Sequence, residues 1–451
     1  MRTWTPQEIA SAAGARLAWA PPTAAGPERV VVDSRQAGPG VLFVALKGAS
    51  ADGGEFAPAA LAAGAWGVLT TAAHAQVAPP PPAGAVLAAD DPLQALQRLA
   101  AAWRGALGAK VIGVTGSTGK TSTKDLIGAV LTPHRRTVTS RANFNTEIGL
   151  PLEVLAAPAG TEVLVLEMGM RGSGQIAELA AIARPDVGVI VNVGPVHLEL
   201  LKTVEAVAAA KAELICGLRA GATAVIPAGE ARLDAYLRED VTIVTFGDDG
   251  DVRLLASEPD HVEIEMHGRR LTLGVDFTQA HFRRNLLAAV AAADAVGVTA
   301  SGRVEAALTP GRGQRIRLPN GVTLIDDCYN ANPMSMRAAL DDLAAAAKDA
   351  QRGRRLAILG DMLELGPCQR RFHVEIGRRA RAAGVDVLVT VGPLARAMAD
   401  GYRGEIHPVS DAGEAAAIVP GLLSPDDVVL VKGSRGVGLE LVCRALGAEG
   451  C

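Results

Sequence analysis

Residues 110–131 read KVIGVTGSTGKTSTKDLIGAVL, and this stretch decides the fold. Residues 111–114 are a short apolar run typical of a buried parallel strand, and a glycine-rich turn follows them. From Thr121 to Leu131 the sequence predicts a helix that begins directly at the turn. This order of elements predicts a polyphosphate site, because loop N–H groups and the positive end of a helix dipole both attract anions.

The glycine-rich turn is a GxxGKT variant of the P-loop. A strict P-loop has glycine five positions before Gly119, where this chain has Val114. Lys120 can reach the outer phosphates, and the Thr121 hydroxyl can join a Mg²⁺ shell. The alternative is a plain turn with a solvent-facing lysine, but the strand and helix around it favour the phosphate site. The candidate phosphate-binding residues are Gly116, Ser117, Thr118, Gly119, Lys120, Thr121 and Ser122.

Alternating strands and helices continue on both sides of the chain's midpoint. Apolar runs at 162–167 and 187–192 predict further parallel strands, and residues 262–273, interrupted by His267-Gly268, predict a hairpin. After Gly313 the alternation restarts, with Ala-rich helices between predicted strands at 322–326, 355–359, 385–390 and 428–431. The last third therefore predicts a separate open α/β domain.

The chain is too long for one hydrophobic core. It has 451 residues, and single cores stop growing near ~250–300 residues. We predict an α/β protein with a small N-terminal α/β domain (1–107), a central P-loop parallel-sheet domain (108–313) and a Rossmann-like C-terminal domain (314–451). The prolines at 79–82 predict a stiff connector.

Composition excludes several classes of protein. The 44 basic and 48 acidic residues give a net charge of −4, which argues against a nucleic-acid partner, and 3% aromatic residues supply few stacking platforms. Five widely spaced cysteines without a CxxC motif suit reduced thiols. Thr5 to Glu8 is a capping box where a signal peptide would be apolar, and no apolar run is long enough for a membrane helix. We expect a soluble cytoplasmic monomer with no stable membrane insertion.

Two polar side chains follow predicted central strands. Glu167 ends an apolar strand, where a buried carboxylate is costly without a cation, so it is a candidate Mg²⁺ ligand, directly or through water. The alternative is a strand-end residue that faces solvent. His197 follows the next strand, either as a second metal ligand or as an ordinary loop histidine. Both would lie at the carboxyl edge of the sheet, where the phosphate loop also lies.

Lysine is scarce in this chain. Only eight of the 44 basic residues are lysines, and they include Lys120, Lys211 and Lys432. Lys211 lies within a predicted helix, where a solvated surface lysine is the plain interpretation. A neutral amine beside a metal could instead react with CO₂ to form a carbamate ligand, which arginine cannot supply.

Polar turns follow the strands of the last domain. The segment 326–333 reads DDCYNANP, where Asp327, Asn330 and Asn332 could bind hydroxyl groups of a ligand. The same segment also reads as a helix cap, with Asn332 at the N-cap and Pro333 at the first helical position. Two further turns, LGDMLELG (359–366) and KGSRG (432–436), predict a site that faces the P-loop domain.

Taken together, these motifs resemble the Mur ligase superfamily over essentially the whole chain. The motifs, in order, are TGSTGKTSTK, NFNTEIGLP, LEMGM, NVGPVHLE, FRRNLLAA, GRGQR, DDCYNANP and LGDMLELG. The resemblance implies a three-domain enzyme of peptidoglycan synthesis that binds a UDP precursor, ATP and an incoming amine in its first, central and third domains. Cys328, where serine is usual, is a modest departure.

Within the superfamily, DDCYNANP, LGDMLELG and VKGSRG are most similar to the members that join D-Ala-D-Ala to UDP-MurNAc-tripeptide. The implied reaction uses ATP to form an acyl phosphate and gives UDP-MurNAc-pentapeptide. The alternative is the sister ligase that adds a diamino acid, although its DNPR-type motif is absent. More distant alternatives are a folylpolyglutamate or cyanophycin-type synthetase, a P-loop switch or transport ATPase, and a nucleotide-binding module without catalysis.

The resemblance also implies roles for individual residues. Thr121 and Glu167 would hold one Mg²⁺, and His197 with a carbamylated Lys211 would hold a second. Lys120 would act on the ATP phosphates. Asn285 would approach adenine, and Arg312 with Asp327 would reach ATP from the domain interface. The implied substrate-binding residues are Ser34 and Arg35 in a segment similar to the family's UDP-binding segment, Asn143, Asn145 and Thr146 along the precursor, and Asn330 and Asn332 in the third domain.

Overall fold

A computed structural model describes residues 1, 3–21, 25–76, 83–141, 143–305, 309–349 and 353–448. Within these ranges the chain forms three β-sheets, each accompanied by helices. The predicted α/β class with three sheet-containing domains is therefore confirmed. The domain boundaries at 107/108 and 313/314 stay predictions, and the predicted connector at 79–82 lies outside the described residues.

The first domain is a mostly parallel sheet preceded by a capped helix. Its strands are β1 (Arg16–Trp19), β2 (Arg29–Val31), β3 (Val41–Val44), β4 (Gly67–Thr71) and β5 (Ala85–Ala89), and its helices are α1 (Pro6–Ala13), α2 (Ala57–Ala62) and α3 (Pro92–Leu107). The strand order is β1-β5-β4-β3-β2, with only the β1–β5 pair antiparallel among these strands. Helix α1 begins with the predicted capping box between Thr5 and Glu8.

The central domain carries the longest sheet. Its strands are β6 (Lys110–Thr115), β7 (Thr137–Thr139), β8 (Val163–Glu167), β9 (Val187–Ile190), β10 (Thr223–Pro227), β11 (Thr242–Phe246), β12 (Val252–Ser257), β13 (His261–Met266), β14 (Arg269–Val275) and β15 (Arg303–Val304). Its helices are α4 (Lys120–Leu131), α5 (Gly149–Ala156), α6 (Gln175–Ala183), α7 (Leu198–Leu201), α8 (Val204–Cys216) and α9 (Ala280–Ala295). The order is β15-β14-β13-β12-β11-β10-β9-β6-β8-β7.

Strand β6 lies between β8 and β9 and is parallel to both. The carboxyl ends of the three strands therefore meet at one edge, which places the phosphate loop, Glu167 and the loop after β9 side by side. All five residues of β8 are buried, as the near-continuous apolar run predicted. The predicted hairpin is confirmed by the antiparallel pair of β13 and β14.

The third domain contains a six-stranded sheet, smaller than the central one and parallel except for one antiparallel edge strand. Its strands are β16 (Gln314–Arg317), β17 (Thr323–Asp326), β18 (Arg355–Gly360), β19 (Val387–Val391), β20 (Glu405–Val409) and β21 (Val428–Lys432). Its helices are α10 (Pro333–Asp349), α11 (Gln369–Ala382), α12 (Ala412–Leu422) and α13 (Glu440–Ala445). The order is β16-β17-β21-β18-β19-β20, so the turns after β17, β21 and β18 share an edge.

Short 3₁₀ turns complete the described secondary structure. They lie at Ser34–Gln36, Gly53–Phe56, Ala231–Tyr236, Gly366–Cys368, Ala395–Asp400 and Arg435–Val437. No helix among the described residues is long and apolar enough to cross a membrane.

The first and central domains share a continuous apolar contact. Helix α3 packs on α5 and α6, and one cluster of buried side chains runs across this junction. Trp103 of α3 donates its indole N–H to the Ala157 carbonyl oxygen at 3.1 Å and meets Trp4 edge to face at 5.3 Å. Such buried aromatic contacts hold the first domain against the central sheet.

Candidate active site

A cavity of about 960 Å³ lies between the carboxyl edges of the central and third sheets. Most of the predicted site residues line it: Ser117, Thr118, Gly119, Lys120, Thr121, Ser122, Asn143, Asn145, Thr146, Glu167, His197, Asn285, Arg312, Asp327, Asn330 and Asn332. The topology therefore brings together residues that are more than two hundred positions apart in the chain.

The phosphate loop is shaped by glycine and by local hydrogen bonds. Gly119 has φ +76°, a left-handed conformation that side chains rarely adopt, and α4 begins directly after it. Lys120 Nζ donates to the Gly116 carbonyl oxygen at 2.9 Å, and Thr118 N–H donates to Asn192 Oδ1 at 3.0 Å. Burial lowers the pKa of the Lys120 ammonium, whereas the Glu167 carboxylate acts in the opposite direction.

Glu167 is a buried carboxylate that accepts hydrogen bonds from a hydroxyl and an amide group. Its side chain is 3% exposed and accepts hydrogen bonds from Thr121 Oγ1 and Asn145 Nδ2, both at 2.7 Å. Its backbone N–H donates to Ser140 Oγ at 3.0 Å, and Lys124 Nζ donates to the Ser140 carbonyl oxygen at 2.6 Å. The Thr121 hydroxyl and the Glu167 carboxylate are hard oxygen donors, so this pair fits Mg²⁺.

Lys211 is a buried amine in α8. It is 1% exposed, and no hydrogen bond or ion pair joins its Nζ to any residue in the described part of the chain. Burial, reinforced by the Lys120 charge, lowers the pKa of Lys211 well below its ordinary value. A buried lysine whose pKa is lowered in this way fits a carbamate more readily than a solvated surface role.

His197 faces the third domain. The residue has φ +53°, and its Nδ1 lies 2.5 Å from Glu364 Oε2, while Arg171 Nε lies 3.7 Å from the other Glu364 oxygen. Burial lowers the pKa of the His197 imidazole, with Lys120 and Lys211 adding to this and Glu364 opposing it. A neutral imidazole near two lysines can serve as a metal ligand.

The turn after β17 docks on the phosphate loop. Asn332 Nδ2 donates to the Ser117 carbonyl oxygen at 3.2 Å, and Asn332 Oδ1 accepts the Ser335 N–H at 2.9 Å. The predicted N-cap and the interdomain contact therefore use opposite ends of one amide. Beside it, Lys432 Nζ pairs with Asp327 at 2.7 Å and donates to the Asn330 carbonyl oxygen at 2.8 Å.

Two guanidinium groups lie over the ring of Tyr329. The distances from the ring centroid are 3.9 Å to Arg312 Cζ and 5.3 Å to Arg435 Cζ. The Arg312 Nε is buried without a hydrogen-bond partner in the described structure. All three side chains line the cavity, which therefore carries positive charge around this ring as well as at Lys120.

Four of the predicted site residues do not line the cavity, namely Gly116, Lys211, Ser34 and Arg35. The Gly116 carbonyl oxygen accepts a hydrogen bond from Lys120, and the Lys120 charge helps to lower the pKa of Lys211. Asn285 packs its amide against Gly119. Ser34 and Arg35 lie in a 3₁₀ turn of the first domain, outside the cavity lining, and Arg35 pairs with Asp33 at 2.7 Å.

Sequence reasoning misses several contributors to the site. The sequence motifs assign no role to Tyr329, Arg435 or Glu364, and Ser140 lies outside them. Arg435 and Glu364 follow strands β21 and β18 in turns already selected as polar, so their position at the shared edge was an available signal. For Ser140, which acts behind the metal-ligand candidates, the sequence offers no comparable signal.

Comparison with known proteins identifies the family. Family models match three parts of the chain: "Mur ligase family, catalytic domain" at residues 28–104, "Mur ligase middle domain" at 114–293, and "Mur ligase, glutamate ligase domain" at 311–435. The chain is 36% identical to a Bacillus subtilis protein named UDP-N-acetylmuramoyl-tripeptide--D-alanyl-D-alanine ligase, over 92% of each chain.

Solved structures agree with this result. MurF from Acinetobacter baumannii superposes with a TM-score of 0.85 at 29% identity, covering 98% of both chains. MurF ligase from Thermotoga maritima in complex with ADP gives 0.81 at 30% identity, covering 93% of this chain and 96% of that one. Because three family models match the chain in order and a relative is 36% identical to it over 92% of its length, the chain belongs to the Mur ligase family.

Proposed function

We propose that this chain joins D-Ala-D-Ala to UDP-MurNAc-tripeptide at the expense of ATP, giving UDP-MurNAc-pentapeptide, ADP and phosphate. The observation that carries the proposal is the docking of the third-domain turn on the phosphate loop through Asn332 and Ser117. This contact makes one cavity from a phosphate-binding side and a second polar side, as a ligase that combines ATP with an amine requires. The near full-length relative with this named activity supports the same conclusion.

The chemistry follows from the weakness of a carboxylate as an electrophile. The tripeptide carboxylate attacks the γ-phosphorus of ATP, which gives an acyl phosphate and ADP. The dipeptide amine then attacks the acyl carbon, loses a proton and expels phosphate. Lys120 neutralises charge on the transferred group, and Asn143, Asn145 and Thr146 border the cavity where the tripeptide would lie.

Two metal positions are proposed from the donor groups. Thr121 and Glu167 would hold one Mg²⁺, and His197 with a carbamylated Lys211 would hold a second. When bound, Mg²⁺ supplies charge neutralisation for the transferring phosphoryl group. A ¹³C-bicarbonate NMR experiment tests the carbamate, because the wild-type carbamate carbon signal should disappear in Lys211→Met. An identical signal in both proteins would remove Lys211 from the metal site.

The ends of the substrates are assigned to the outer domains. Ser34 and Arg35 would contact the UDP end, while Asp327 with Arg312 and Asn285 would border the nucleotide. Asn330 and Asn332 would approach the incoming dipeptide. Because all these residues come from one chain, we propose that the monomer is active, which light scattering during turnover would test. The ATP and UDP-linked substrates favour a cytoplasmic location.

The decisive experiment measures phosphate release and product mass. Release should require both UDP-MurNAc-tripeptide and D-Ala-D-Ala, and the joined product should appear by mass spectrometry. Turnover with the dipeptide nucleotide and a diamino acid would instead identify the sister ligase. Turnover of ATP that is independent of any UDP precursor would overturn the ligase assignment.

The acyl phosphate has its own test. With oxygen-18 at the β,γ-bridging position of ATP, reversible phosphoryl transfer to the tripeptide carboxylate should scramble the label into non-bridging positions. The exchange should need the tripeptide nucleotide but no amine. Retention of the label in ATP under these conditions would count against the intermediate.

A further inference from the structure

Tyr329, Arg312 and Arg435 form an unusual concentration of positive charge. The two ring-to-guanidinium distances, 3.9 and 5.3 Å, place the guanidinium carbons at most about 9 Å apart, within roughly one screening length at physiological salt. Two cations at this separation repel each other. The face of an aromatic ring offsets part of that repulsion, and a bound anion would offset more.

Neither guanidinium group is neutralised by protein. In the described parts of the chain, no carboxylate forms an ion pair with Arg312, Arg435 or Lys120. Lys432, in the same turn as Arg435, shows the opposite arrangement because Asp327 pairs with it at 2.7 Å. The Nε of Arg312 is also buried without a hydrogen-bond partner among the described residues, so this wall of the cavity offers an unused donor to an anion.

The three side chains are held by separate backbone anchors. Gly311 N–H donates to Gln314 Oε1 at 2.8 Å, and Tyr329 N–H donates to the Gly311 carbonyl oxygen at 3.2 Å, so the linker that carries Arg312 is joined to the turn that carries Tyr329. Ser434, directly before Arg435, donates its N–H to the Asp361 carbonyl oxygen at 3.0 Å. The arginines therefore approach the ring from two different segments.

These anchors place the positive charge opposite the phosphate loop. The third domain meets that loop through Asn332 and Ser117, so a phosphoryl group lying between the domains would have Lys120 on one side and the arginines on the other. In the proposed reaction the transferring phosphoryl group would lie at that position, because its acceptor is activated for an amine brought by the third domain. Planar guanidinium groups match the spread charge of its oxygens.

We propose that Arg435 and Arg312 form a clamp for the terminal phosphoryl group of ATP and that Tyr329 is the positioning residue of this clamp. The inference rests on the proposed function and names one further contact of the same reaction, made by Arg435. Tyr329 acts only through the arginines. Its ring face is needed and its hydroxyl is not.

The test compares nucleotide binding and turnover in four variants of the full chain. Arg435→Gln removes one guanidinium, Tyr329→Leu removes the ring, and Tyr329→Phe keeps the ring. Arg403→Gln is the matched control, since Arg403 is an exposed third-domain arginine without an ion pair in the described structure. Calorimetry gives the Kd for ADP and for the imido analogue of ATP, and thermal unfolding shows whether each variant folds.

Arg435→Gln and Tyr329→Leu should lower kcat by about 100-fold and weaken the ATP analogue while leaving the Kd for ADP unchanged. Tyr329→Phe and Arg403→Gln should behave like wild type. Equal weakening of ADP and the analogue, or unchanged binding of both, would overturn the clamp. If wild type binds the analogue but never joins D-Ala-D-Ala, the proposed function fails, while the binding comparison still decides the clamp.

Discussion

The two sides of the cavity are built in different ways. On the central side, Lys120 bonds to Gly116, four residues earlier, and the helix that carries it begins inside the same loop. On the third-domain side, Lys432 and Asp327 come together from positions 105 residues apart. The first side is preformed by local structure, whereas the second depends on the packing of distant strands.

The contacts between the two sides are both apolar and polar, because one cluster of buried side chains includes Val193 and Leu198 of the central domain and Met336 of the third. They include Asn332 with Ser117 at 3.2 Å and His197 with Glu364 at 2.5 Å. Hydrogen bonds of this kind each contribute about 0.5–1.5 kcal/mol, because water competes for the same groups. The docked arrangement therefore rests on an apolar contact shared by the two domains as well as on these hydrogen bonds. Substitutions on the two sides should differ accordingly.

The largest effect is expected on the preformed side. Lys120→Ala removes the ammonium group from the phosphate loop and should lower kcat by about 100- to 1,000-fold. The unfolding midpoint should rise or stay unchanged, because a half-buried lysine whose pKa is lowered by desolvation contributes little to stability. Steady-state kinetics measure the first consequence, and thermal unfolding measures the second.

Lys110→Ala is the matched control for that substitution. Lys110 lies at the opposite end of β6 and pairs with Asp186 at 3.4 Å, where Arg104 also binds the same carboxylate at 3.0 Å. Turnover should be unaffected. A comparable loss in both variants would mean that charge anywhere on β6 matters, and the loop would lose its special role.

The next effect tests docking itself. A Cβ at Gly194 would collide with Met334 Sδ, so Gly194→Val should push α10 away from the loop after β9. Turnover should fall by about 100-fold, since a displacement of about 1 Å can cost that much, while ADP binding persists. Adding Met334→Ala should restore part of the rate. A double variant no faster than Gly194→Val would show that the loop, and not the docking, is damaged.

The same contrast explains what could be predicted from sequence. The phosphate loop, the buried Glu167 and the Asn332 cap each depend on residues within one strand–turn–helix unit, where local rules apply. Glu364 and His197 are 167 positions apart and meet only because β18 ends opposite the loop after β9. Local patterns contain no information about that distance.

Whether a residue belongs to the site is harder to predict from sequence than what its side chain could do there. Ser34 and Arg35 lie in a motif similar to a UDP-binding segment, but their 3₁₀ turn is outside the cavity lining, and Arg35 pairs with its neighbour Asp33. The sequence assigns no role to Tyr329, since a half-buried tyrosine in a turn usually only packs. Two guanidinium groups over its ring are a tertiary arrangement.

A smaller effect separates the two ends of the Asn332 amide. Asn332→Asp keeps an oxygen for the Ser335 N–H but replaces the donor that faces the Ser117 carbonyl oxygen. The unfolding midpoint should stay near that of wild type, because aspartate caps helices as well as asparagine does. The value of kcat/KM should fall by up to about tenfold, the equivalent of one hydrogen bond.

Asn332→Ala is the companion variant for this experiment. It loses both ends of the amide and should add a loss of about 1 kcal/mol in the free energy of unfolding to the kinetic defect. Chemical denaturation and steady-state kinetics on the same preparations separate the two. If Asn332→Asp lost stability but kept its activity, the interdomain hydrogen bond would have no part in catalysis.

The smallest effect is a loss of stability as the pH falls, and it should appear on the third-domain side first. His373 is fully buried in α11, accepts the Met362 N–H at Nε2 (3.0 Å) and donates from Nδ1 to the Gln369 carbonyl oxygen (2.7 Å). Burial lowers the pKa of His373 below 6.5, its ordinary value, although Gln369 and Asp361 oppose this. The neutral ring therefore holds the start of the turn that carries Glu364.

The sign of the pH effect follows from that direction. Below pH 6.5 the His373 imidazole is protonated in the unfolded chain but stays neutral in the folded chain until the pH nears its lowered pKa. The stability that His373 contributes is therefore fully present above pH 6.5. It should decline as the pH falls toward the folded pKa, by no more than about 1.4 kcal/mol for each pH unit. The pKa values of His281 and His197 are also lowered by burial, so these residues add to the same dependence of stability on pH.

In hydrogen exchange between pH 7.5 and 5.5, the Met362 amide should lose protection before the amides of β6. His373→Gln should weaken the dependence of that protection on pH. Uniform loss across both sheets would show instead that the two sides of the cavity unfold as one unit.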